Sequence, residues 1–117
     1  MRHSSEAFWW SLFSAGGVMA ALFIPAMIIA TGFLLPFAAG DASPQEQYHQ
    51  MHDTVAFWPV RIVLFGVLLL SFFHCAHRTK HIAMDLGFRG ADTALAIICY
   101  GGALVGAVAS AWLLLTL

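Results

Sequence analysis

Three long apolar stretches, separated by short polar segments, constrain this chain more than anything else in its sequence. They run from about Phe13 to Phe37, from about Val55 to Ala76 and from about Ala94 to Leu117. Crossing the hydrocarbon of a bilayer takes about 20 apolar residues, and each stretch is long enough. The predicted fold is therefore an all-α membrane protein with three transmembrane helices, a single domain over residues 1–117 with nothing left for a soluble domain. Composition agrees. The chain is 61% hydrophobic and 9% charged, whereas soluble domains are about 25% charged. A water-soluble fold of 117 residues could not hide so much apolar surface.

The first stretch is too long for a cleaved signal peptide, whose apolar region is about 7–15 residues. Pro25 and Pro36 predict a kink around Ile24 and a stop near Leu35. Ser4 or Ser5 is a candidate helix cap. Phe8, Trp9, Trp10 and Phe13 then form an aromatic belt at the interface.

Orientation follows from the placement of Lys and Arg. The loop from Gly40 to Thr54 carries Asp41, Glu46 and Asp53 and no Lys or Arg. The loop from His77 to Thr93 carries Arg78, Lys80 and Arg89. The positive-inside rule predicts a cytoplasmic N-terminus and second loop, with the first loop and the C-terminus on the periplasmic side.

In the third stretch Gly102, Gly106 and Ser110 recur every four residues, with Ala103, Ala107 and Ala111 beside them. Small residues at this spacing let helices approach closely in lipid. Three spans make a thin bundle, so partner helices from other chains are expected. Cys75 and Cys99 are too few for a disulfide framework and read as reduced, buried small hydrophobes.

Few residues are equipped for chemistry. Arg61 lies inside the second span, where it either snorkels outward or pairs with Asp53 about two turns back. That span ends in His74-Cys75-Ala76-His77-Arg78-Thr79-Lys80-His81. On a helix His74, His77 and His81 share one face. Three readings fit: axial ligation of haem, hydrogen bonding and proton relay to a quinone, or a basic collar that complements the helix dipole and anionic lipid. No Cys-rich cluster points to zinc. Trp9 and Trp10 fall at the same interface, and an indole N–H is a donor only. No phosphate-binding loop, nucleophile elbow or paired carboxylate motif is present, so the chain lacks a complete soluble active site.

Several of these segments together resemble the D subunit of bacterial quinol:fumarate reductase. They are Phe8-Trp9-Trp10-Ser11-Leu12-Phe13-Ser14-Ala15-Gly16-Gly17, Ile24-Pro25-Ala26-Met27-Ile28, Leu34-Leu35-Pro36, Gly40-Asp41-Ala42, His77-Arg78-Thr79-Lys80-His81 and Met84-Asp85-Leu86. The resemblance covers essentially the whole chain. It departs from the family pattern in two places: Lys80 stands where a His is usual, and the segment after His81 is one residue shorter.

The resemblance implies a non-catalytic anchor in the bacterial inner membrane, serving anaerobic respiration. It would pair with a second three-helix anchor, the C subunit, and hold a flavoprotein subunit and an iron–sulfur subunit. FAD and the iron–sulfur clusters would belong to those partner chains, and no haem is expected. Menaquinol would be oxidised close to the iron–sulfur protein. The quinone-binding residues carried over are Trp10, Arg78 and His81, with His74 structural and His77 without an assigned role. The other readings are a haem-b-binding anchor of succinate dehydrogenase, with His74 or His77 as ligand, and a small channel or transporter component. The last would need a polar path, for which the spans offer only Arg61 and hydroxyls such as Thr31, Ser71 and Ser110.

Overall fold

The computed structural model describes residues 2–117, with side chains from residue 5 onward. Ser4, one of the two candidate caps, lies outside the described side chains, and Ser5 sits within a helix that has already begun. All elements among the described residues are helical: α1 (Arg2–Ile29), α2 (Leu35–Ala39), α3 (Pro44–Ala56), α4 (Trp58–Asp85) and α5 (Asp92–Thr116). Three helical segments are long and apolar enough to cross a membrane: Ser5–Ala39, Trp58–Asp85 and Phe88–Thr116. Helices suit this task because each satisfies its own backbone N–H and C=O groups where no water is available.

The first segment differs from expectation at Pro36. Helix α1 includes Ile24 and Pro25, and a π turn follows over Ala30–Leu34. Its signature is the Leu35 N–H bonding to the Ala30 carbonyl. Pro36 follows directly. In a regular helix its ring would crowd the carbonyl four residues back, and a widened turn relieves that crowding. The helix therefore does not stop near Leu35. It continues as α2 to Ala39 and ends at Gly40, whose φ of 53° suits a residue without a Cβ.

The acidic loop contains a helix that the hydropathy pattern does not disclose. Ser43 caps α3 through a reciprocal pair of bonds. The Glu46 N–H donates to Ser43 Oγ at 3.3 Å, and the Ser43 N–H donates to the Glu46 carboxylate at 2.7 Å. Pro44 occupies the first turn, where its missing N–H costs nothing. The Ser43 N–H and hydroxyl, both donating to the Glu46 carboxylate, hold it below its ordinary range. Phe57, in extended conformation, then breaks the chain between α3 and α4.

α4 is the central helix, with α1 packed on one side and α5 on the other. The α1 contact depends on Gly16 and Gly17. A Cβ on Gly16 would collide with the Leu70 carbonyl oxygen, and one on Gly17 would lie 2.7 Å from His74 Cε1. The α5 contact uses part of the small-residue stripe. Gly106 lies under the Phe72 ring, where a Cβ would sit 3.2 Å from the ring edge, and Ala107 is buried. Gly102 is exposed, with nothing within 4 Å of the Cβ position.

The bundle is as thin as expected. Its buried hydrophobic core among the described residues is Val67, Ala76 and Ala107. Cys75 is exposed and Cys99 only half-buried, which corrects their reading as buried hydrophobes. Three helices in a row leave most side chains on an outer face. Thr31 and Ser110 bond to carbonyls of their own helices, at 2.7 and 2.8 Å, so neither contributes to a polar path.

Candidate functional site

The start of α1, the end of α4 and the start of α5 meet at one end of the bundle. Gly16 and Gly17 let α1 lie close enough for His74 to rest on its backbone. His74 Nδ1–H donates to the Phe13 carbonyl at 3.0 Å, and the Phe13 ring stacks on the imidazole with centroids 4.5 Å apart. A carbonyl only accepts, so this bond fixes the His74 tautomer.

His77 lies one turn further along and is the hub of the cluster. Its Nδ1 shares a 2.7 Å hydrogen bond with the Tyr100 hydroxyl of α5. Its ring is 4.7 Å from Phe13, 6.3 Å from Trp10 and 4.3 Å from His81. The three histidines do occupy one helix face. Nδ1 of His74 bonds to Phe13 and Nδ1 of His77 to Tyr100, and no group of three metal-ligating side chains occurs among the described residues.

Trp9, Trp10, Phe13, Phe73, His77 and Tyr100 line an open groove of about 280 Å³. Small-molecule sites span roughly 300–1,000 Å³, so this groove is close to the low end of that range. Trp10 is 63% exposed, with its ring edge-on to Phe13 at 5.8 Å. The groove thus offers flat apolar rings plus an indole N–H, an imidazole and a phenol.

The predicted site residues are placed unevenly. Trp10 lines the groove, and His81 reaches it through His77. Arg78 is exposed and does not line the groove. Lys80 turns away to Asp92, with Nζ 2.9 Å from the carboxylate, and ties the end of α4 to the start of α5. The residues that sequence reasoning missed are Tyr100 and Phe73. Tyr100 carries the one phenol in the third span, a polar atom in an apolar run, and that oddity was the available signal.

Arg61 lies at the opposite end and does not pair with Asp53. Extended Phe57 separates the two, so they are not two turns apart on one helix. Asp53 is 3.5 Å from His52, and the Arg61 guanidinium carbon is 5.9 Å from the centre of the Trp58 ring.

Comparison with known proteins shows the family. The family model for the D subunit of fumarate reductase matches residues 1–115. The chain belongs to the fumarate reductase D-subunit family. It is 34% identical over 119 residues to the fumarate reductase D subunit of Mycobacterium tuberculosis (strain ATCC 25618 / H37Rv), covering 99% of this chain and 91% of that protein. It is 33% identical over 104 residues to the corresponding D subunit of Vibrio cholerae serotype O1 (strain M66-2), covering 89% and 78%. The D subunit of Vibrio campbellii (strain ATCC BAA-1116) is 31% identical over 87 residues, covering 74% and 69%. No solved structure matches the chain. Family membership and three membrane-length helices together make this a multi-pass membrane protein, a membrane anchor of fumarate reductase.

Proposed function

We propose that the chain, with the C subunit, attaches the flavoprotein and iron–sulfur subunits of fumarate reductase to the bacterial inner membrane and supplies one wall of the menaquinol oxidation site. The observation that carries this reading is the groove of Trp10, Phe13, Phe73, His77 and Tyr100 at the end of the bundle that also bears Arg78, Lys80 and Arg89. Positive charge at that end supports a cytoplasmic N-terminus and a periplasmic C-terminus. The exposed faces of all three helices, Gly102 included, suit helices of a second anchor.

The residues fit a quinone in chemical kind. Flat rings present a face to an aromatic head group. Quinol oxidation supplies two electrons and releases two protons, so the wall needs donors for the oxidised oxygens and acceptors for protons. The Trp10 indole N–H is a donor. Tyr100 holds the His77 ring in place, and His81, 4.3 Å from His77, leads from the groove to the exposed end of α4. Arg78 beside it holds positive potential that favours anionic intermediates. Commitment of His74 Nδ1 to Phe13 supports a structural role for that histidine.

The test is the ratio of quinol-linked to dye-linked fumarate reduction in membranes. Trp10→Leu and Arg78→Leu should each lower quinol-linked activity about tenfold, the loss of one charge-assisted or buried hydrogen bond. Dye-linked activity, which bypasses the quinol, should hold. Normal quinol-linked activity in both variants would remove the site assignment.

A further inference from the structure

The end of the bundle opposite the histidines carries a second cavity, about 240 Å³, between the start of α4 and the end of α5. Trp58, Ile62 and Phe65 of α4 and Ala111 and Leu114 of α5 line it. Arg61 is the one charged residue lining it. Arg61 Nε is buried without a hydrogen-bond partner among the described residues, which is a costly state for a guanidinium N–H. Neither acid of α3 pairs with it. Glu46 is held by Ser43, and Asp53 is exposed beside His52. Arg61 is also the only Lys or Arg between residues 3 and 77.

Depth identifies the missing partner. Arg61 is three residues into α4, about 4.5 Å along the axis at 1.5 Å per residue. It is 20 residues before His81, or about 30 Å, the thickness of the hydrocarbon core. Trp58 and Trp112, both exposed, mark the same interface. A guanidinium at that level, stacked on an interfacial tryptophan, is within reach of the phosphates of the adjacent leaflet. Ile62 and Phe65 of α4 and Ala111 and Leu114 of α5 line the cavity beside it, all apolar, as an acyl chain requires.

The geometry points to a phospholipid site: Arg61 binds the phosphate of a lipid in the leaflet at this end, and the α4–α5 cavity takes one of its acyl chains. The phosphate supplies acceptors for the Arg61 guanidinium beyond its buried Nε, and the chain fills the apolar space between α4 and α5. The inference is independent of the quinol reading, since the two sites lie at opposite ends of the bundle.

The experiment is lipid quantification by mass spectrometry on the complex purified in mild detergent. Wild-type protein should retain close to one phospholipid per copy of this chain. Arg61→Gln should lower that retention about tenfold, as loss of a charge-assisted hydrogen bond does. Arg61→Lys, which keeps the charge but not the fork, should fall between. Ala111→Leu, which fills the slot and leaves the charge, should also lose lipid. Added phosphatidylglycerol should restore it to wild-type protein only, and inorganic phosphate should not compete. Undiminished lipid in both Arg61→Gln and Ala111→Leu overturns the proposal. So does a side chain of a partner protein found in the cavity, or competition by inorganic phosphate alone. Quinol-linked activity of Arg61→Gln stays at the wild-type level, so failure here leaves the quinol site untouched, and failure of the Trp10 test leaves this one standing.

Discussion

Replacing Gly16 by Ala probes the contact on which the site's geometry depends. The added methyl would meet the Leu70 carbonyl oxygen at colliding distance and His74 Cβ at 3.0 Å. Ordinary contacts of this kind begin near 3.4 Å. A backbone carbonyl inside a helix cannot step aside, so α1 must move off α4 by several tenths of an ångström. That movement stretches the His74–Phe13 bond, now 3.0 Å, and separates Phe13 from both imidazoles. Overpacking of this kind costs about 1–3 kcal/mol, a shift of roughly five- to 150-fold in the equilibrium between packed and separated helices. The assay is titration of the chain in dodecylmaltoside micelles with sodium dodecyl sulfate, followed by tryptophan fluorescence, since Trp9 and Trp10 sit at this junction. Gly66→Ala is the control, because nothing lies within 4 Å of its Cβ position. The midpoint should fall for Gly16→Ala and stay for Gly66→Ala. Equal midpoints for Gly16→Ala and the parent would refute the close approach of α1 and α4.

Two further outcomes follow from single contacts. Tyr100→Phe removes the partner of His77 Nδ1, a bond worth about 0.5–1.5 kcal/mol; quinol-linked fumarate reduction should fall roughly two- to tenfold with dye-linked reduction unchanged, and an unchanged ratio would count against Tyr100 as the positioning group. Glu46, held below its ordinary pKa of 4.5 by the N–H and hydroxyl of Ser43, contributes to the α3 cap fully above that value and loses its contribution as pH falls through the lowered pKa; carboxyl NMR should show Glu46 titrating below 4.5, and Ser43→Ala, which removes the hydroxyl but keeps the N–H, should raise it part of the way.

The spans were legible because hydropathy over 20 residues integrates many small contributions, and no single residue decides it. Features set by one or two residues were read less well. Pro36 reads as a stop in any helix, yet in an apolar span freed backbone groups have no water to turn to, and a π turn keeps the helix going to Ala39. α3 escaped a hydropathy reading, although Ser43-Pro44-Gln45-Glu46 carries the cap and first-turn proline in plain view. The face shared by His74, His77 and His81 followed from spacing alone. What each histidine does there did not, because the partners are Phe13, 61 residues away in the chain, and Tyr100, 23 away. Arg61 and Asp53 looked two turns apart only while one helix was assumed to join them.

Assembly tests the anchor role most directly. The chain, affinity-tagged and purified in mild detergent from its own membranes, should bring down a flavoprotein, an iron–sulfur protein and a second small anchor in equal amounts. The preparation should reduce fumarate with a quinol donor. A homo-oligomer of this chain alone, without flavin or iron–sulfur protein, would contradict the central claim.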